Sequence, residues 1–149
     1  MAGARIEVAG SERVRRRLAA LAAGIADRRP LLDMLGGVVE SQTRRRLEQD
    51  KEGPDGEPWP DWSPAYAATR RGGHHLLESE GMLIDSVHRM AAGDTVEVGS
   101  GLVYAAIHQF GGAEAGRPGI PARPWLGIGD DDAEEIGEVL GDWLGSAAA

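Results

Sequence analysis

The stretch from Tyr104 to Gly127 constrains this chain more than any other. It reads YAAIHQFGGAEAGRPGIPARPWLG. Tyr104 to Phe110 is a short apolar-aromatic segment, expected to be helical. Gly111-Gly112 halts it, because paired glycines admit positive φ and end regular structure. A polar, glycine-rich excursion runs from Ala113 to Gly119. Pro121 and Pro124 then fix their own φ and bias Ile120 and Arg123 towards extended backbone. Trp125 and Leu126 are expected to return the chain to the core. The pattern is an ordered segment, a flexible arm and a rigid re-entry, with the arm anchored by Phe110 and Trp125. Such an arm reads as a subunit-contact element or as an ordinary surface loop.

The rest of the chain supplies the body on which this arm sits. Ala4 to Val8 alternates weakly and predicts a short edge strand. Ser11 is a good N-cap for a helix from Glu12 to about Ala26, where Val14, Leu18, Leu21, Ala22 and Ile25 share a face. Pro30 suits the first turn of a second helix, running to about Gln49. There Leu31, Met34, Leu35, Val38 and Gln42 share a face, widened by Leu32 and Val39. The two segments predict an antiparallel helical hairpin, with Gly36-Gly37 allowing close packing between them. A loop follows from Lys51 to Pro60, rich in proline and glycine, with β-turn chemistry at Pro54-Asp55-Gly56. Trp59 is expected to pin it to the core. Ser63-Pro64 caps a short helix to about Thr69.

Leu83 to Met90 and Thr95 to Val98, joined at Gly93-Asp94, predict a β-hairpin. Gly99-Ser100-Gly101 is expected to be a turn. Asp130-Asp131-Asp132 caps a final helix with Ile136, Val139, Leu140, Trp143 and Leu144 on its apolar face. The fold class is therefore α+β: a helical hairpin and a C-terminal helix on a small, mainly antiparallel sheet, with an extended loop or arm. At 149 residues, a single domain spanning 1–149 is expected.

Charge is unevenly placed. Residues 1–50 hold ten arginines against seven acids, whereas residues 51–149 hold six bases against seventeen acids. This polarity suits stacked or head-to-tail assembly with charged neighbours rather than broad nucleic-acid binding. Two arginine groups stand out, Arg13-Arg16-Arg17 and Arg44-Arg45-Arg46. Each reads as a solvated face, or as a contact for an acidic neighbour or passing DNA. At least one of Arg44 to Arg46 is expected to be buried against carboxylates or to enter an interface, since the three fan around a helix.

Chemistry finds little support. The chain has no cysteine, so disulfides and Cys-ligated zinc are excluded. His74-His75 are adjacent and seldom converge on one metal, and the acidic run at Asp130 lacks calcium-loop spacing. Gly99-Ser100-Gly101 lacks the remaining residues of a phosphate loop. Base stacking on Trp59 and Trp62 lacks a basic cluster beside them. No nucleophile–base motif stands out, so no enzyme and no cofactor are expected. No run approaches the roughly 20 apolar residues of a membrane span, and Met1 to Gly10 has no signal-peptide core. The expectation is a soluble protein without membrane contact, and the absence of cysteine suits a reducing cytoplasm.

Several of these residues also occur together in a known pattern. Tyr104-Ala105, then Ile107-His108-Gln109-Phe110-Gly111-Gly112, then Ile120-Pro121-Ala122-Arg123-Pro124-Trp125-Leu126-Gly127 resembles the virion morphogenesis, or tail-completion, family of Mu-like and P2-like contractile-tailed phages. Trp125 stands where Phe is commoner. Arg44-Arg45-Arg46, Pro54-Asp55-Gly56 with Trp59, Leu83 with Ser86, and Val98-Gly99 are weaker matches in the same order. The resemblance implies a non-enzymatic structural protein of the virion tail or neck that completes the tail and helps it join the head. It would form a homo-oligomeric ring, with a hexamer expected, against tail tube or sheath and head-neck connector proteins. Phe110, Gly111, Gly112, Arg117, Ile120, Pro121, Arg123, Pro124 and Trp125 are the expected interface. A transient assembly chaperone and a DNA-contacting connector are the alternatives.

Overall fold

A computed structural model of the protein describes residues 2–5, 12, 16, 19 and 27–147. Its elements are β1 (Ala2–Arg5), α1 (Arg29–Arg45), α2 (Pro64–Ala67), α3 (Met82–Ser86), β2 (His88–Ala92), β3 (Thr95–Ser100), α4 (Ala105–Phe110) and α5 (Asp130–Ala147). The fold is α+β. Its sheet has the order β1-β3-β2 and is antiparallel throughout, so β3 is central. Register places Ala2 opposite Ser100 and His88 opposite Gly99.

Helix α1 begins with proline in its first turn, where the missing N–H costs nothing. It continues from Arg46 to Asp50 as a π-helical turn and ends where Lys51 adopts φ 55°. The Lys51 Nζ donates to the Leu47 and Leu76 carbonyls and to the Glu78 carboxylate. This ties the helix end to the segment before α3. The buried positions of the helix are Gly36, Val39, Glu40, Gln42 and Thr43, followed by Arg46 and Leu47 in the π-helical turn. The expected stripe of Leu31, Met34, Leu35 and Val38 is only half-buried.

Gly36 meets the sheet. A Cβ there would lie 2.5 Å from Val96 Cγ2 and 3.0 Å from Arg89 Cδ. The glycine lets α1 settle onto β2 and β3; the packing expected between it and the preceding helix lies outside the described residues. That helix, expected over Glu12 to Ala26, falls almost wholly outside the described residues, as do Ser11 and the expected strand residues Ile6 to Val8. Glu12, Arg16 and Ala19 are described, and all three are helical.

Two boundaries differ from the sequence reading. The strand expected from Leu83 begins only at His88, because Met82 to Ser86 form α3. Gly81 opens this turn with φ 79°, and the Ser86 hydroxyl donates to the Leu83 carbonyl at 2.7 Å. Leu83 and Val87, four residues apart, both reach the core. The turn expected at Gly99-Ser100-Gly101 is instead strand as far as Ser100, where pairing with β1 extends β3.

The core gathers Val39, Leu47, Trp59, Leu83, Val87, Val98, Ala105, Trp125 and Leu126. Trp59 pins the 51–60 loop as expected, donating its indole N–H to the Pro124 carbonyl at 2.8 Å. The Ser63 cap forms too, its hydroxyl accepting from Tyr66 N–H at 3.3 Å.

Candidate functional site

Two sequence segments, 104–112 and 120–127, come together to build the most distinctive surface. Helix α4 is six residues long, so its facing decides everything around it. Ala105 and Gln109 are one turn apart and face inward. Ala105 is fully buried, and its carbonyl accepts the Trp125 indole N–H at 3.1 Å. The Gln109 side chain accepts the backbone N–H groups of Trp125 and Leu126, both at 3.0 Å, and donates to the Leu126 carbonyl at 2.9 Å. The His108 carbonyl takes the Arg123 N–H at 2.7 Å. Five hydrogen bonds thus stitch the helix to the returning segment.

Between the stitched segments the excursion closes on itself. Gly112 N–H donates to the Ile120 carbonyl at 2.9 Å, and Arg117 N–H donates to the Gly112 carbonyl at 2.7 Å. Gly111 adopts φ 82°, and a Cβ there would sit 3.1 Å from Ala122 N. Only glycine permits both the turn and this approach. Residues Ala113 to Gly119 are all exposed.

The expected interface residues divide into holders and presenters. Trp125 is 0% exposed and Arg123 6%. Arg123 donates from Nε to the Pro60 carbonyl at 2.7 Å and from its terminal nitrogen to the Asp61 carbonyl at 3.1 Å. Gly112 is also buried, whereas Arg117, Pro121 and Pro124 are exposed and Ile120 is half-buried. Phe110 corrects the anchoring scheme: it is 74% exposed and holds nothing in the core. The anchor is its neighbour Gln109, because a helix that turns Ala105 and Gln109 inward turns Phe110 out. Sequence reasoning missed Gln109; its four-residue spacing from Ala105 was the available signal.

The arginine groups are likewise distributed by their partners. Arg46 is 4% exposed, donating to Asp132 at 2.5 Å and to the Trp125 carbonyl at 3.0 Å. The expectation that one of the three would be buried against a carboxylate is met there. Asp132 also accepts Gly129 N–H at 3.0 Å, so it caps α5 while holding Arg46. Arg44 pairs with Glu40 at 2.6 Å and donates to the Val87 carbonyl. Arg45 lies 3.4 Å from Glu135, whose carboxyl is held below its ordinary pKa by Gln42 and then Arg45. Arg16 is exposed and lies 3.9 Å from Glu12; Arg13 and Arg17 fall outside the described residues.

Beside the stitched segments lies a groove of about 480 Å³. Trp62, Tyr66, Leu77, Met82, Tyr104, Ile120 and Pro121 give it apolar walls. Trp62 and Tyr66 meet edge to face with centroids 5.9 Å apart. Arg70 lies over both rings, 5.8 and 5.2 Å from their centroids. Tyr104 and His108, one turn apart on α4, stack edge to face at 5.8 Å. Burial, then the Arg123 charge, lowers the His108 pKa. The buried Arg70 Nε and His108 Nδ1 have no hydrogen-bond partner. Among the described residues no cluster of His, Asp or Glu could hold a metal ion, and no helix is long and apolar enough to cross a membrane.

The phage virion morphogenesis family matches residues 9–145. This chain belongs to that family. The stitched segments and the groove beside them thus belong to a virion morphogenesis protein. It is 32% identical over 114 residues to the "Putative capsid assembly protein G" of Escherichia phage Mu, covering 72% of this chain and 73% of that one. It is 30% identical over 143 residues to the Mu-like prophage FluMu G protein 2 of Haemophilus influenzae, covering 93% and 94% of the two chains. FluMu G protein 1 of the same organism is 27% identical over 123 residues, covering 79% and 80%. No solved structure matches.

Proposed function

We propose that this member of the family is a non-enzymatic structural protein that completes the phage tail and joins it to the head. Copies form a ring at the head-proximal end of the tail tube, stop tube growth and present a surface to the neck. One observation carries this reading. The segment is braced from beneath by Gln109, Arg123 and Trp125, yet it presents Phe110 and the 113–119 loop outward. A rigidly supported, exposed aromatic beside a polar loop suits a permanent subunit contact. Ring closure needs a heterologous contact, in which one patch meets a different patch on the next subunit.

The name carried by the Mu relative speaks of capsid assembly, which a protein at the head–tail joint accommodates. Quantitative mass spectrometry on purified virions, with heads and tails separated, tests the reading. A low, fixed copy number travelling with tails is expected. Absence from finished particles despite normal expression would overturn it in favour of a transient assembly chaperone.

A further inference from the structure

We propose that the groove between Trp62, Tyr66, Met82 and Ile120 seats Phe110 of a second copy of this chain. The inference rests on the ring reading above and names the two unlike patches that such a ring requires.

Helix α4 carries both halves of the contact on different sides. Its residues advance by about 100° each. Tyr104 and His108 are one turn apart and line the groove. Phe110 follows His108 by two positions and so points about 200° further round, away from that groove. A copy therefore cannot fill its own groove with its own Phe110. Val103, 92% exposed, adds a second apolar side chain in the turn just before α4.

Size and chemistry agree. About 480 Å³ falls within the roughly 300–1,000 Å³ of sites that bury compact ligands. The walls are aromatic and aliphatic, and Met82, 55% exposed, can rearrange around an incoming ring. Charge is complementary as well. The groove lining carries Asp61, Glu78 and Glu80, and its Arg70 is already bonded to Tyr66, His74 and Ser79. Arg117, seven residues after Phe110, is exposed. A loop that delivers Phe110 to the groove brings a cation towards those carboxylates. Unlike surfaces on one chain, one protruding and one concave, meet the requirement of a head-to-tail contact.

The absence of native cysteine makes the test direct. Full-length Ala113→Cys and Met82→Cys proteins, both of which keep Phe110, are purified separately, then treated with a short bis-maleimide alone and mixed. Light scattering records the size of the untreated wild-type assembly. A cross-linked dimer formed only in the mixture is the expected result. Cross-linking of Ala113→Cys with itself would overturn the proposal, since it reports a symmetric contact. Wild-type oligomers of defined size that give no mixed cross-link would overturn the groove assignment and leave the ring standing. A wild-type protein that stays monomeric and gives no cross-link would sink both. Phe110→Asp provides an independent check, because an exposed side chain can be changed without unfolding the chain. It should weaken self-association about thirtyfold or more at unchanged melting temperature; undiminished association would overturn the assignment.

Discussion

The side-chain oxygen of Gln109 accepts the backbone N–H of Trp125 at 3.0 Å. With the two bonds to Leu126 it makes Gln109 a three-point clamp on the returning segment. Replacing it by alanine removes three bonds and strands polar backbone groups at a part-buried place. An unpaired buried group costs about 1–3 kcal/mol. Gln109→Ala should destabilise by about 2–4 kcal/mol, read by urea unfolding. Gln109→Glu should fall between, since its carboxylate accepts both N–H groups but cannot donate to the Leu126 carbonyl.

Arg46 and Asp132 form the deepest ion pair described, joining α1 to the first turn of α5. Removing one member leaves the other charge buried, typically at a cost of about 3–5 kcal/mol. Arg46→Met and Asp132→Asn should each lower stability by that order. The double variant should lose less than the sum, because neither charge is then stranded. Asp132 has a second duty, capping Gly129 N–H, so Asp132→Asn should retain part of that contact while Asp132→Ala should not. Thermal unfolding of the cycle checks both statements.

Adjacent glycines in α1 should respond oppositely to alanine. Helix propensity alone favours alanine by about 1 kcal/mol. At Gly37 the nearest atom to an added Cβ, among the described residues, is the Arg89 guanidinium carbon at 3.7 Å, an ordinary contact. Gly37→Ala should therefore stabilise by about 0.5–1 kcal/mol. At Gly36 the Cβ would collide with Val96 and crowd Arg89, and overpacking costs about 1–3 kcal/mol. Gly36→Ala should destabilise on balance, and shortening Val96 to alanine in the same chain should recover part of the loss.

His108 should make stability fall with acidity. Its folded pKa lies below the ordinary 6.5, from burial first and the Arg123 charge second. Above pH 6.5 the ring is neutral in both states and nothing is lost. Below it the unfolded chain takes up the proton first, so stability declines as pH falls towards the folded value. His108→Gln should flatten the change in urea midpoint between pH 7.5 and 5.5, while its backbone bond to Arg123 persists.

What the sequence revealed followed locality. Pro30 and three-to-four-residue spacing marked α1, and the proline-flanked Trp125 could only be a re-entry point. The fan of three arginines predicted that at least one is buried against carboxylates or enters an interface. Choosing Arg46 required the α1 stripe that carries Val39, Thr43 and Arg46, and this stripe is set by a sheet that the local pattern does not display. Leu83 and Val87 fit a strand or a helical turn equally until the left-handed Gly81 is known. Ser100 joined β3 because Ala2, nearly a hundred positions away, pairs with it. The groove was the least legible feature: Trp62, Met82 and Ile120 come from three distant segments, and nothing in their neighbourhoods announces a shared wall.

The closed geometry of the 112–120 loop separates its stability role from its contact role. Its tip is tied internally, through Ala115 and Arg117 to the Gly112 carbonyl and Gly116 to that of Ala113. The bonds that hold the segment to the core, from Gln109, Trp125 and Arg123, all lie outside residues 113–119. Deleting Ala113 to Gly119 joins Gly112 directly to Ile120, two residues already linked by a hydrogen bond of 2.9 Å. Unfolding should stay cooperative, with a melting temperature lowered by no more than about 4 °C, the equivalent of roughly 1 kcal/mol in a chain of this size. Assembly into rings should be lost, because Arg117 goes and the presentation of Phe110 changes with it. Electron microscopy of the deletion variant decides the matter: intact rings would show that the loop tip is no part of the subunit contact.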